Sequence, residues 1–180
     1  MTTQYYTASS LDGYIADPDN SLSWLFAVPD ADAATDDIGT FLDGVGAIAM
    51  GATTYEWMTA NESPAYWRDN YGDRPCWVFT HRELPAVPGA NLRFVSGDVE
   101  PVHELMAEAA GERNIWIVGG GELAGRFADA DLLDEVIVGI TPVTLGGGAP
   151  LLPRRILADR MRLAEVARMG QFAQLTYRLS

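Results

Sequence analysis

Apolar residues in this chain come in short blocks separated by polar and acidic stretches. Six blocks read as strands: Gln4–Ser9, Val45–Met50, Cys76–Thr80, Leu92–Val95, Ile115–Val118 and Glu135–Ile140. Several of them, such as "GAIAM" and "IWIV", are continuous apolar runs, the pattern of strands covered on both faces. Helical signals lie between the blocks. Asp32–Leu42 opens on acidic residues, Thr53–Met58 is short, and Glu122–Phe127 follows a run of glycines. Pro101–Ala110 starts on Pro and stops at Gly111. Alternating strands and helices predict an α/β sheet with mostly parallel neighbours.

The C-terminal segment "MRLAEVARMGQFAQLTYRLS" breaks this alternation. It reads as two strands around "MGQF", with a period of two in "AQLTYRLS", although "RMRLAEVAR" also fits a helix. An antiparallel hairpin would then end an otherwise parallel sheet.

Composition narrows the picture. With 180 residues, 48% hydrophobic and 21% charged, the chain is expected to form one domain over 1–180 and not to be disordered. Its 25 acidic and 12 basic side chains give a net charge of -13, which repels nucleic-acid phosphates and anionic lipid. Neither nucleic acid nor membrane is therefore expected as a partner. Cys76 is the single cysteine, so no internal disulfide is possible; in a strand it reads as a small core residue. The segment "MTTQYYTASSLDG" has neither the basic nor the apolar region of a secretory signal, and no apolar run approaches the roughly 18 residues of a membrane span. A cytoplasmic protein is expected.

Candidate chemistry centres on "NIWIVGGGELAGRF", Asn114–Phe127, where an apolar run meets three glycines and then a helix. Gly119, Gly121 and Ala124 satisfy G-x-G-x-x-G/A between strand and helix, the context of a dinucleotide fingerprint. Two checks reject the Rossmann form of that motif. The turn comes two-thirds along the chain, and the following strand ends "VGITPV" with no acid at its tip. Glycines here either permit tight strand-to-helix packing or let a ligand approach backbone amides at a helix N-terminus.

Motifs in order along the chain carry a more specific likeness. "ASSLDGYIA", "SLSWL", "IAMGATTYEWM", "VFTHR", "IWIVGGGELAGRF" and "TPVTLGGGAPLLP" together span almost the whole sequence. The chain resembles the dihydrofolate-reductase-like fold, and within it the reductase domain of the bifunctional riboflavin-biosynthesis deaminase–reductase, as a stand-alone bacterial protein. The resemblance implies a three-layer α/β sandwich whose mixed, mostly parallel sheet ends in a C-terminal antiparallel hairpin. It implies NADPH as cofactor, lying across the carboxyl ends of the strands, and a cis peptide between Gly119 and Gly120.

Site residues follow from the same resemblance. Gly119, Gly120, Gly121, Glu122 and Leu123 would meet the pyrophosphate and the nicotinamide side. Gly51, Thr53 and Thr54, in "GATTYE", would face the pyrophosphate from the next helix. Ala52 and Thr53 stand where dihydrofolate reductases often carry a basic residue, so Thr80 and Arg82, with Ser96, become candidates for the adenosine 2′-phosphate; Arg82 is equally readable as a solvated surface residue. On the substrate side, Ser10 and Asp12 would hydrogen-bond a polar heterocycle or simply make a turn with Gly13. Trp24 would cover the nicotinamide or belong to the core. The acid that dihydrofolate reductases carry on the first helix maps near Thr35, beside Asp36 and Asp37, which puts folate reduction in doubt. The loop "LGGGAPLL", Leu145–Leu152, reads as near the ligand or as a bulged connection.

No catalytic acid or base is assigned, and no metal is expected: H-x-E with a P-C-x-x-C partner is absent, so a zinc deaminase is excluded. His81 and His103 both read as peripheral, His103 as exposed. The expected activity is hydride transfer from NADPH to a C=N or C=O substrate, a riboflavin-precursor-like or pterin-like heterocycle. True dihydrofolate reduction and a non-catalytic nucleotide-binding protein on the same scaffold stay open, and a homodimer is expected by analogy.

Overall fold

The computed structural model describes residues 1–29 and 32–180, and side chains except those of 30–37. Along the chain run β1 (Thr3–Ser9), β2 (Tyr14–Ala16), α1 (Ser23–Phe26), α2 (Asp32–Asp43), β3 (Val45–Gly51) and α3 (Ala52–Asn61). After α4 (Pro64–Tyr66) and a π-helical turn (Trp67–Tyr71) come β4 (Cys76–Phe79), β5 (Leu92–Val95), α5 (Val99–Ala110) and β6 (Asn114–Gly119). The chain ends with α6 (Gly121–Asp129), β7 (Glu135–Ile140), β8 (Ala149–Pro150), β9 (Met161–Met169) and β10 (Phe172–Leu179).

Eight strands form one sheet in the order β5-β4-β3-β6-β1-β7-β10-β9. The pairs β4–β5, β3–β4, β3–β6, β1–β6 and β1–β7 are all parallel. β10 runs antiparallel to β7 and to β9, which is the terminal hairpin the alternation in "AQLTYRLS" predicts. Gly170, at φ +58, turns it in the left-handed region that glycine enters without steric cost.

Burial explains the continuous apolar runs. Tyr5, Ala47, Ala49, Ile115 and Ile117 point to one face and pack with Met106 of α5 and Phe127 of α6. Tyr6, Ile48, Met50 and Trp116 point to the other and pack with Leu42 of α2 and Tyr55 of α3. Helices on both faces of the sheet make the expected three layers. Cys76 is fully enclosed in β4, a core residue as its position in a strand suggests.

Four features differ from the pattern-based expectations. Helix α5 begins at Val99, and Pro101 lies inside its first turn, where a missing amide costs nothing. β2 and β8 form a separate two-stranded sheet too short to leave a period. The α4 and π-helical turns pack Trp67 and Tyr71 into the core. His103 is half-buried, not exposed: its Nε2 sits 2.9 Å from Thr3 Oγ1, and its ring meets Phe127 edge-on.

Candidate active site at the carboxyl edge of the sheet

The chain enters the sheet at β1, fills β3, β4 and β5 on one side, and returns through β6 between β3 and β1. At such a reversal the helices that leave neighbouring strands diverge to opposite faces, and a crevice opens at the strands' carboxyl ends. Here α3 leaves β3 toward the Tyr6–Trp116 face, and α6 leaves β6 toward the Tyr5–Ile117 face. The two N-termini converge: a Cβ placed on Gly51 would stand 3.8 Å from both Gly119 O and Gly120 N. Gly51 and Gly120 are the N-caps, and neither makes a side-chain capping bond. The first-turn amides of both helices therefore face the crevice with no side-chain acceptor, and both dipoles favour an anion there.

The three glycines of the turn serve different ends. The Gly119–Gly120 peptide is cis, and Gly119 has φ +155 with Thr54 Oγ1 beside it. Around Gly120 there is room, the nearest atom to a Cβ being Ile15 Cδ1 at 3.7 Å. A Cβ on Gly121 would run into the carbonyl oxygens of Pro150 and Leu151, so that glycine answers to packing.

On the substrate side, Ser10 is buried and its hydroxyl donates to Asp12 Oδ1 at 2.6 Å while accepting from Tyr14 N at 3.0 Å. The Asp12 carboxylate also accepts from Leu145 N at 3.0 Å and Gly146 N at 2.7 Å. The Ser10 hydroxyl and these amides pull its pKa down to about 2, so it stays ionised. Ser10 and Asp12 thus lock the first loop to the second glycine loop. Trp24 is half-buried on α1, with its indole N–H donating to Ser21 O at 3.2 Å; its neighbour Phe26 stacks on Trp57 of α3.

Beneath this edge, on the Tyr6 face, lies an apolar cavity of about 60 Å³. Thr7, Ala8 and Gly139 form its floor and Trp116, Met169 and Phe172 its walls, with no charged side chain among its lining residues. Tyr6 Oη donates to Gln174 Oε1 at 3.0 Å across it. Periodicity marks these residues as core or hairpin; only the sheet order brings Met169 and Phe172 beside β1.

The other direction along the edge leads to β4 and β5. Thr80 Oγ1 accepts from Arg82 N at 3.0 Å, and the Arg82 guanidinium grips Glu56 with two bonds of 2.9 and 2.6 Å. Ser96 is exposed beyond the end of β5. Glu122 points away from the crevice to Arg154, at 2.7 and 2.9 Å, and that bond holds its carboxyl below the usual range. Arg126 bonds Gly97 O and lies over the Phe79 ring, 5.8 Å from its centroid. The amides of Glu122 and Leu123, Thr53, Thr54 and the glycines are brought together; Arg82 and Ser96 lie outward of them, Ser10 and Asp12 lie on the opposite flank, and Trp24 stays on α1, whose Phe26 meets α3. The region of Thr35, Asp36 and Asp37 falls outside the described side chains. Among the described residues no group of His, Cys, Asp and Glu could hold a metal, and no helix is long and apolar enough to cross a membrane.

Comparison with known proteins gives the chain its family and its fold. Residues 2–175 match the family described as RibD C-terminal domain. The protein YwjB of Bacillus subtilis is 33% identical over 177 residues, covering 97% of this chain and 96% of its own length. A candidate riboflavin biosynthesis protein of Shewanella sp. PV-4 superposes with a TM-score of 0.80 at 25% identity, covering 100% of this chain and 99% of the other. Dihydrofolate reductase from Enterococcus faecalis, at 17% identity, superposes with a TM-score of 0.63 over 99% of this chain and 96% of the other. The fold is dihydrofolate-reductase-like.

Proposed function

The chain belongs to the RibD C-terminal domain family, and from that premise we propose that it is a cytoplasmic, NADPH-dependent reductase of the riboflavin-biosynthesis type. The observation that carries the reading is the pair of uncapped helix N-termini, α3 and α6, meeting over Gly119 and Gly120. Backbone donors from two helices, with no Cβ at Gly120, suit a diphosphate approaching closely. The Enterococcus relative, which was solved with NADP(H), supports the same ligand class.

A reduced nicotinamide, when bound, supplies a hydride to an electrophilic carbon of a C=N or C=O group. The chain's own residues bind, orient and shield. Thr53, Thr54 and the amides of Gly120 to Leu123 would hold the diphosphate, and the apolar cavity by Trp116 would meet one face of a flat heterocycle. The α1 loop, tied to α3 by Phe26 on Trp57, would cover the edge and exclude water once ligand is bound. Asp12 is already ionised and fully bonded, and Glu122 is tied to Arg154, so neither carries a proton near neutrality. Water then supplies it.

The leading substrates are a ribosylamino-pyrimidine phosphate of the riboflavin route and a pterin. The same engaged carboxylates favour one second reading, a nucleotide-binding protein without turnover. Thermal denaturation with NADPH and NADH, followed by NADPH oxidation over a panel containing both heterocycles, separates the cases. A raised midpoint with oxidation supports the reductase; a raised midpoint with no oxidation across the panel supports the second reading; no shift with either nucleotide defeats both. We also propose a homodimer. Leu163 and Val166, on the edge strand β9, stand 55% and 63% exposed, and a monomer in sedimentation at micromolar concentration would refute pairing.

A further inference from the structure

We propose that Arg126 of α6, and not Arg82, is the cation that selects a phosphate on the adenosine ribose and thereby NADPH over NADH. The inference rests on the cofactor reading above and adds which residue sets its specificity. With the diphosphate between α3 and α6, a dinucleotide continues in two directions. One leads over β1 and β7 to the apolar cavity; the other leads over β3 to the ends of β4 and β5. The adenosine half takes the second.

Two arginines stand there in different electrostatic states. Arg82 is neutralised: both oxygens of the Glu56 carboxylate receive its two terminal nitrogens, in a pair whose side chains are 58% and 43% exposed. Taking a phosphate would mean breaking that two-pronged bond, and a rotation of Arg82 would leave Glu56 close to the incoming anion. Arg126 forms no ion pair among the described residues; its hydrogen bond goes to a neutral carbonyl, Gly97 O. Phe79, the last residue of β4, lies under its guanidinium. Gly97 directly follows Ser96, whose exposed hydroxyl makes no bond among the described residues, and Thr80 N pairs with Val95 O to bring the two strand ends level. Arg126 therefore holds a charge that no carboxylate bonds, felt by Glu122 only at longer range, beside the Ser96 hydroxyl, and its remaining N–H groups are available as a fork. Asp129 and Glu122 are the acids nearest along α6, and both are engaged by Arg154; Asp98 follows Gly97. Position 126 is a helical cation that the motif "ELAGRF" offers without marking; the bond to Gly97 is what reveals it.

The test is binding of 2′,5′-ADP and 5′-AMP to the full chain, followed by thermal shift and calorimetry, with NADPH and NADH alongside. Wild type should favour 2′,5′-ADP, and Arg126→Gln should weaken it about tenfold or more while 5′-AMP is unchanged. Arg82→Gln should change both by less than about threefold. Arg126→Lys, which keeps the charge and loses the fork, should fall between; it also serves if the Gln variant does not fold. Loss of 2′,5′-ADP binding in Arg82→Gln with retention in Arg126→Gln overturns the assignment. Equal affinity of wild type for 2′,5′-ADP and 5′-AMP overturns it as well. The cofactor reading fails separately, if neither NADPH nor NADH binds at all; it survives if both bind and Arg126→Gln leaves their ratio unchanged.

Discussion

At Gly119–Gly121 the chain passes from β6 into α6 with no side chain capping the helix. At Leu145–Gly148 it crosses the same end of the molecule with the amides of Leu145 and Gly146 both held by the Asp12 carboxylate. The two runs look alike in sequence, each a "GGG" after an apolar stretch. In the first, Gly120 has open space and its helix keeps unclaimed donors; in the second, the donors are consumed internally and Gly148, at φ +130, presses against Ala16 O. One turn is arranged to receive an anion, and the other already contains one. Glycine repetition alone does not separate a ligand cradle from a structural clamp; the fate of the neighbouring amides does.

The largest effects should come from glycines that touch backbone. A Cβ at Gly148 meets Ala16 O, and one at Gly121 meets the carbonyls of Pro150 and Leu151; none of these atoms can swing aside. Gly148→Ala and Gly121→Ala should each cost about 3 kcal/mol or more, read as a lower urea midpoint with an unchanged slope. Tolerance at Gly148 would mean that it meets Ala16 loosely, and tolerance at Gly121 that α6 meets Pro150 and Leu151 loosely. Gly120 is the contrasting case. Its φ of -86 suits any residue and its nearest neighbour is a methyl, so Gly120→Val should fold within about 1 kcal/mol of wild type. The thermal shift with NADPH should nevertheless vanish, because the side chain fills the cradle. A retained shift would break the distinction between the two turns.

This contrast also marks what the residues disclosed in advance. The strands were legible because runs such as "GAIAM" and "IWIV" are buried on both faces, and β6 and β3 fall on them almost to the residue. The cis bond between Gly119 and Gly120 and the uncapped turn after β6 follow the family motif. Ser10 and Asp12 were readable as ligand contacts or as a turn, and only the distances across more than a hundred residues to Leu145 and Gly146 show how they are spent. Arg82 and Arg126 are indistinguishable as letters. Their difference is a partner, Glu56 or Gly97 O, that long-range packing supplies.

Titration sharpens the clamp side of the comparison. The folded pKa of Asp12 is about 2, below its ordinary 3.8, so the folded state binds this proton later than the unfolded chain does. Its contribution is fully present above the unfolded pKa, and it is lost as pH falls from about 4 through 2. Asp12→Asn should lower the melting midpoint at neutral pH and flatten its dependence on pH in that acid window. Nucleotide binding should weaken only as far as the Ser10–Gly13 loop drifts from Gly120. An unchanged acid profile in Asp12→Asn would show that the carboxylate does not hold the second glycine loop in solution.

The smallest effect should appear at a glycine whose contact looks as close but is with a side chain. A Cβ on Gly125, inside α6, would lie 2.7 Å from Cζ of Arg154, which crosses the helix there between Glu122 and Asp129. Arg154 is a side chain and not backbone, so its end can move aside, loosening its two ion pairs. Alanine gains about 1 kcal/mol over glycine in a helix interior, while exposed ion pairs of this kind contribute about 1 kcal/mol or less. Glu122 and Asp129 are 69% and 59% exposed on their side chains, so water compensates part of any loss. Gly125→Ala should therefore leave the urea midpoint within about 1 kcal/mol of wild type, and the dependence of stability on salt should weaken as the pairs loosen. A cost as large as that of Gly121→Ala would show Arg154 to be held as rigidly as backbone, and the turn would then owe its geometry to that arginine as well as to its glycines.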